Sequence, residues 1–174
     1  MGARSPENKR QLLNQLINFF WTILCFLPVI WFWAEEGIHL FFYLFAGLAL
    51  VTGILPNKII NLLTFSYKRG FYERLGVKTI RKFVQNGDAV SKRTTDKPLL
   101  QGVAHAQQYL KTIAMYERFH WVCLVFFTLT ALYGFCVGYL LLPLFITAAN
   151  IVYNLCAILL QQYNKIRIRK ITTY

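Results

Sequence analysis

Acidic residues are scarce in this chain: seven Asp and Glu stand against nineteen Lys and Arg, for a formal net charge of +12. The basic residues are themselves missing from two long stretches, since none lies between residues 11 and 57 or between 119 and 164. Three histidines and four cysteines occur in 174 residues, with no His-x-x-x-His and no Cys-x-x-Cys, so no metal-ligand spacing is present. Cys25, Cys123, Cys136 and Cys156 all fall in apolar stretches, where cysteine packs as a small apolar residue. The sequence also lacks a P-loop, a Gly-x-Gly-x-x-Gly turn and a Gly-x-Ser-x-Gly elbow, which removes the common nucleotide folds and the serine hydrolases. The basic segment carries no nucleic-acid module, and no repeat suggests an inverted-repeat transporter. These absences lead us to expect no bound cofactor, no metal and no nucleic-acid partner.

What is present is apolar. The chain is 56% hydrophobic and 17% aromatic, and its mean hydropathy of +0.42 exceeds what a soluble domain of this size needs. Three charge-poor blocks cover 11–34, 38–56 and 121–163. The last would be roughly 65 Å long as one helix, about twice the hydrocarbon thickness, so it is expected to cross twice, bending at Gly134 and Gly138. The expectation is an all-α polytopic membrane protein in one domain, with four transmembrane helices near 12–34, 38–56, 118–136 and 139–163. The start reads as an uncleaved first helix, because no small-x-small cleavage site follows it. The positive-inside rule puts both termini and the segment 57–117 in the cytoplasm. Within that segment, 58–64 reads as a short surface helix, and 67–83 as two basic amphipathic helices parted at Gly76. Gly87 to Pro98 reads as a mobile polar loop, and a helix from Leu100 climbs into the third span.

Two constellations stand out. At about 100° per residue, Asn150, Asn154, Gln161 and Asn164 fall within roughly 80° of one another, an amide stripe on an apolar helix that ends among Lys165, Arg167, Arg169 and Lys170. Such a face belongs toward protein or a wet cavity; it serves either as interhelical glue or as the lining of a site. Asn14 and Asn18, spaced i, i+4 on the first helix, are candidates to face it. The second constellation is Glu117 and His120, three apart where water gives way to hydrocarbon. A carboxylate beside an imidazole makes a general base, although the same spacing suits a histidine that merely anchors a helix.

The run from Gly70 through Tyr72, Glu73, Arg74 and Gly76 to Lys78, then Tyr116, Glu117, His120 and Trp121, then Asn154 followed by Gln161, Tyr163, Asn164 and Arg167, resembles the glycosyl-4,4'-diaponeurosporenoate acyltransferase family. The resemblance covers roughly residues 55–170; Cys156 stands where the pattern favours proline, and the loop from Lys92 to Pro98 is extended. It implies an enzyme of a bacterial plasma membrane that moves a fatty acyl group from an activated thioester, acyl-coenzyme A or acyl carrier protein, to a hydroxyl or amine of a lipid or glycolipid. His120, oriented by Glu117, would be the base, and Asn154 an oxyanion donor. Asn150, Gln161, Tyr163 and Asn164 would hold substrate, and Arg74, Lys165 and Arg167 would meet phosphates or an acidic carrier. A small membrane methyltransferase or reductase, or a non-enzymatic assembly protein, are the rival readings.

Overall fold

The computed structural model describes residues 6–83 and 103–172, which form helices joined by short turns with no strand among the described residues. Helix α1 runs over Pro6–Glu36, α2 over Leu40–Ile54, α3 over Asn57–Leu62, α4 over Arg69–Arg74, α5 over Val77–Phe83 and α6 over Val103–Cys136. Then come α7 (Leu141–Ala149), a π-helical turn (Asn150–Leu155) and α8 (Cys156–Thr172). Ala149, Asn150 and Cys156 keep right-handed helical dihedrals, so these last three pieces form one rod.

Three stretches are long and apolar enough to cross a membrane: Gln15–Glu36, Ala106–Cys136 and Leu141–Arg169. The fourth expected span is shorter than its sequence range. Helix α2 has 15 residues, or roughly 22 Å against a hydrocarbon core of about 30 Å. It stops where it does because Leu55 precedes Pro56, whose ring excludes the helical conformation at the residue before it; Leu55 accordingly sits at ψ 140°. Arg118 then covers the orphaned end, donating from Nη1 to the carbonyls of Gly53 (2.8 Å) and Leu55 (2.7 Å) and from Nη2 to Asn57 Oδ1 (2.7 Å). The third span likewise begins earlier than expected, inside a helix that is continuous from Val103.

Large aromatics fill the core. Val29, Phe32 and Trp33 of α1, Phe45 of α2, Cys123, Phe127 and Ala131 of α6 and Ile146 of α7 form one buried cluster, while Phe19, Leu40, Ile54 and Leu141 face outward, as lipid-facing residues do. The glycines expected to bend the last block divide the work differently. Gly138 makes the turn at φ +94°, but Gly134 is a contact residue: a Cβ there would lie 2.6 Å from the Pro143 ring and 3.1 Å from Phe32. Small residues at such crossings let membrane helices approach.

Gly76, at φ +75°, separates α4 from α5 as its position in the sequence suggests. Phe71 and Leu75 of this pair are exposed. Tyr72 and Val77 point inward instead and pack on Leu160 and Tyr163 of α8. Ala106, Ile113 and Ile168 continue the α6–α8 contact beyond the main core. The expected loop from Gly87 to Pro98 and the side chains of Asn14 and His105 lie outside the described residues.

Candidate active site

The face of α6 that carries Glu117, His120, Leu124 and Thr128 repeats at close to 3.6 residues and meets the π turn and α8. Its polar groups divide into two assemblies, one around His120 and one around Glu117.

The first assembly can be assigned atom by atom from a backbone anchor. Asn150 Nδ2 lies 3.1 Å from the Leu124 carbonyl, which only accepts, so the nitrogen of that amide faces α6. The second hydrogen of Nδ2 goes to Thr128 Oγ1 at 3.0 Å, and Thr128 passes its own hydrogen to Leu124 O at 2.7 Å. Asn150 Oδ1 must then accept, and Asn154 Nδ2 donates to it at 2.8 Å. This leaves Asn154 Oδ1 toward His120 Nδ1 at 3.2 Å. An amide oxygen cannot donate, so Nδ1 carries the proton and the lone pair of the neutral ring sits on Nε2. The Tyr153 ring lies edge-on to the imidazole at 5.4 Å, and its hydroxyl is 3.1 Å from Thr22 Oγ1 on α1. The Asn150–Asn154 pair is thus interhelical glue at one end and a histidine orienter at the other.

Glu117 does not take the orienting role expected from its spacing. It is 0% exposed, and a buried carboxylate needs a charge and hydrogen bonds of its own. Its Oε2 pairs with Lys165 of α8, and its Oε1 accepts from Gln162 Nε2 at 2.9 Å. Gln162 is satisfied on every side: Nε2 also donates to the Leu63 carbonyl (3.2 Å), while Oε1 accepts from the Phe65 amide (3.1 Å) and the Tyr72 hydroxyl (3.0 Å). That hydroxyl also lies 2.7 Å from the Ser66 carbonyl and accepts from the Ser66 amide at 3.1 Å. Burial raises the Tyr72 phenol above its ordinary range and keeps it a donor.

The amide stripe is accordingly redrawn. Asn150 and Asn154 are buried as expected, but Gln162 rather than Gln161 joins the inner face. In a π turn each hydrogen bond spans one residue more than in an α-helix, so everything downstream lags by up to about one residue's rotation, roughly 100°. The lag carries Gln162 inward and takes Asn164 off the face. Gln161 and Asn164 are half-buried and make no side-chain hydrogen bond among the described residues.

The three expected phosphate-binding cations separate as well. Lys165 is buried against Glu117, Arg74 is exposed at the end of α4, and Arg167 lies over the Tyr163 ring at 5.6 Å. Tyr163 is a buried clamp rather than an open contact. Its hydroxyl donates to Glu73 Oε1 at 3.2 Å, and Arg69 flanks its ring at 5.8 Å. Glu73 also takes Arg69 Nε at 2.7 Å and Lys78 at 3.2 Å, and the Arg69 hydrogen bond holds its carboxyl below the usual range. Among the described residues no cluster of three His, Cys, Asp or Glu is placed to hold a metal ion.

Sequence reasoning missed Gln162, Arg118, Thr128 and Tyr153. Gln162 has a signal in the sequence, since it adjoins Gln161; Thr128 and Tyr153 have none beyond their faces.

Compared with known protein families, the chain matches the model of the glycosyl-4,4'-diaponeurosporenoate acyltransferase family over residues 56–173. No curated protein matches the chain, and no solved structure does.

Proposed function

The match extends over more than half of the chain, so the chain belongs to the glycosyl-4,4'-diaponeurosporenoate acyltransferase family and is an acyltransferase, and from that premise we propose that His120 is the general base of the transfer. The observation that carries this reading is the amide relay from the Leu124 carbonyl through Asn150 and Asn154, which leaves the Nε2 lone pair of His120 for a substrate proton.

The chemistry follows from that lone pair. Nε2 takes the proton of an acceptor hydroxyl or amine as its oxygen or nitrogen attacks the carbonyl of an activated thioester. The tetrahedral intermediate collapses, the carbon–sulfur bond breaks, and the thiol leaves with the proton that Nε2 had taken. Throughout, Asn154 Oδ1 holds the Nδ1 proton, so the imidazolium is steadied by an amide dipole rather than a carboxylate. Asn150 has committed both of its N–H groups, whereas Asn154 keeps one, and we assign that hydrogen to the developing oxyanion. The acceptor is a lipid or glycolipid hydroxyl or amine, and the donor a coenzyme A or carrier-protein thioester.

The site faces the cytoplasmic side of a bacterial inner membrane crossed four times, with α2 as the short span. The charge distribution supports this topology: every Lys and Arg lies before residue 11, between 57 and 119 or after 163. The test is acyl transfer by purified protein in lipid nanodiscs, with labelled acyl-coenzyme A or acyl carrier protein and a glycolipid acceptor. His120→Ala should abolish transfer without loss of folded protein. In the wild type the rate should rise with pH through the titration of an imidazole and then level. Near-normal transfer by His120→Ala at saturating donor would defeat the assignment.

A further inference from the structure

Between α3, α6 and α8 lies a cleft of about 240 Å³ that the transfer chemistry above does not use. Its α6 wall carries Lys111, Ala114 and Arg118, its α8 wall Lys165 and Arg169, and its α3 wall Asn57 and Asn61. No carboxylate is among its lining residues. Lys111, Ala114 and Arg118 are spaced i, i+3, i+7, and Lys165 and Arg169 i, i+4, so two helices each aim two cations into one space. Of these cations, Lys165 is paired with the buried Glu117.

The donors are also incompletely used. Arg118 spends three of its five N–H groups on Gly53, Leu55 and Asn57. Those same bonds fix the guanidinium in place, so its remaining donors are preorganised rather than floppy. Lys111 makes no ion pair among the described residues. A cleft lined by cations and amides without a carboxylate has the chemistry of an oxyanion receptor, and a phosphate satisfies such donors bidentately.

We propose that this cleft binds a phosphate group, that of the coenzyme A donor or of a lipid headgroup, with Lys111 and Arg118 as its principal donors beside Asn57 and Asn61. The identity of the ligand rests on the acyl-transfer reading; the phosphate recognition does not. Arg118 is two residues from His120 along α6 and Lys111 nine, about 3 Å and about 13 Å along the helix axis but roughly 160° to 180° around it, so a ligand held in the cleft reaches the base only through an arm that passes around the helix. A coenzyme A thioester, whose phosphates are separated from its sulfur by a long flexible arm, would use the Lys111 end. A bilayer phospholipid, which carries no thioester, would occupy the same donors through its headgroup phosphate as a bound lipid rather than as the acyl donor.

The experiment is a titration of the full chain in neutral phosphatidylcholine nanodiscs with a non-hydrolysable thioether analogue of acyl-coenzyme A. A parallel series replaces part of the lipid with phosphatidylglycerol carrying a fluorescent tail. Lys111→Glu should weaken one of these two ligands at least tenfold, and the one affected names the source of the phosphate. Lys58→Glu, the same charge change on α3 but outside the cleft lining, should change binding less than twofold. The proposal is overturned if neither ligand binds the wild type, if Lys111→Glu binds both unchanged, or if Lys58→Glu matches the loss. Because binding is read without turnover, charge-sensitive binding with no acyl transfer would sink the proposed function alone. Normal transfer with no such binding would sink only the cleft.

Discussion

The Glu117–Lys165 pair makes the sharpest demand on the protein. Glu117→Gln removes one charge and leaves Lys165 with 11% of its side chain exposed; Lys165→Met leaves Glu117 with none. Breaking a buried pair on one side costs about 3–5 kcal/mol, because the survivor keeps its desolvation penalty without its partner. The two halves should differ. The lysine stem can swing its ammonium toward the open cleft, so Glu117→Gln belongs near the lower end, about 3 kcal/mol. The carboxylate has no such route, and Lys165→Met belongs near the upper end, about 5 kcal/mol. Removing both charges together should recover most of the loss, since a neutral pair of similar volume is often no worse than an ion pair. Denaturant unfolding in bicelles, followed by tryptophan fluorescence, measures all three variants against the wild type. Additive losses in the double variant, or a milder loss for Lys165→Met than for Glu117→Gln, would refute the reasoning. A second readout separates structure from chemistry: in the folded fraction, Glu117→Gln should keep the wild-type pH profile of transfer. A profile shifted by more than the scatter of the assay would return Glu117 to the orienting role that Asn154 holds here.

Asn154→Leu should lower turnover by about 10²-fold or more, through loss of the Nδ1 partner and of the remaining oxyanion donor. Asn150→Leu should instead cost roughly 1 kcal/mol of stability with a smaller effect on rate, since it removes helix glue; both are read on one solubilised sample by melting and transfer. The Glu73 carboxyl is held below its ordinary range in the folded protein, so its contribution is complete above the ordinary carboxyl pKa of about 4.3 and fades as pH falls through the lower folded value. The protection of α4 and α5 against hydrogen exchange, measured relative to the unstructured chain at each pH, should therefore fall in acid below that range, and Glu73→Gln should flatten the dependence. Membrane-impermeant labelling of cysteines placed at residue 88 or at the C-terminus should fail in intact cells, and success at either would overturn the cytoplasmic assignment.

Much of the architecture is a local matter and was legible in one dimension. Stretches without Lys or Arg have to be buried in something apolar, and a chain segment in hydrocarbon has to satisfy its own backbone, so helices follow from composition alone. The break at Gly76, the start of the long α6 helix inside the basic segment, and His120 and Asn154 as polar groups on helices are all readable from period and residue type. What those groups touch was not. The i, i+3 spacing of Glu117 and His120 predicts a pair, but burial forces a carboxylate to seek a full positive charge, and Lys165 is 48 positions away in the chain. A hydropathy period of 3.6 predicts Gln161 on the inner face, but one π turn after Asn150 rotates the helix below it and puts Gln162 there. Spacing along a helix determines which side chains can be neighbours. Only the packing of α6 against the last rod, with a register set by the π turn and by the Leu124 carbonyl, decided that the imidazole is held by an amide and the carboxylate by a lysine.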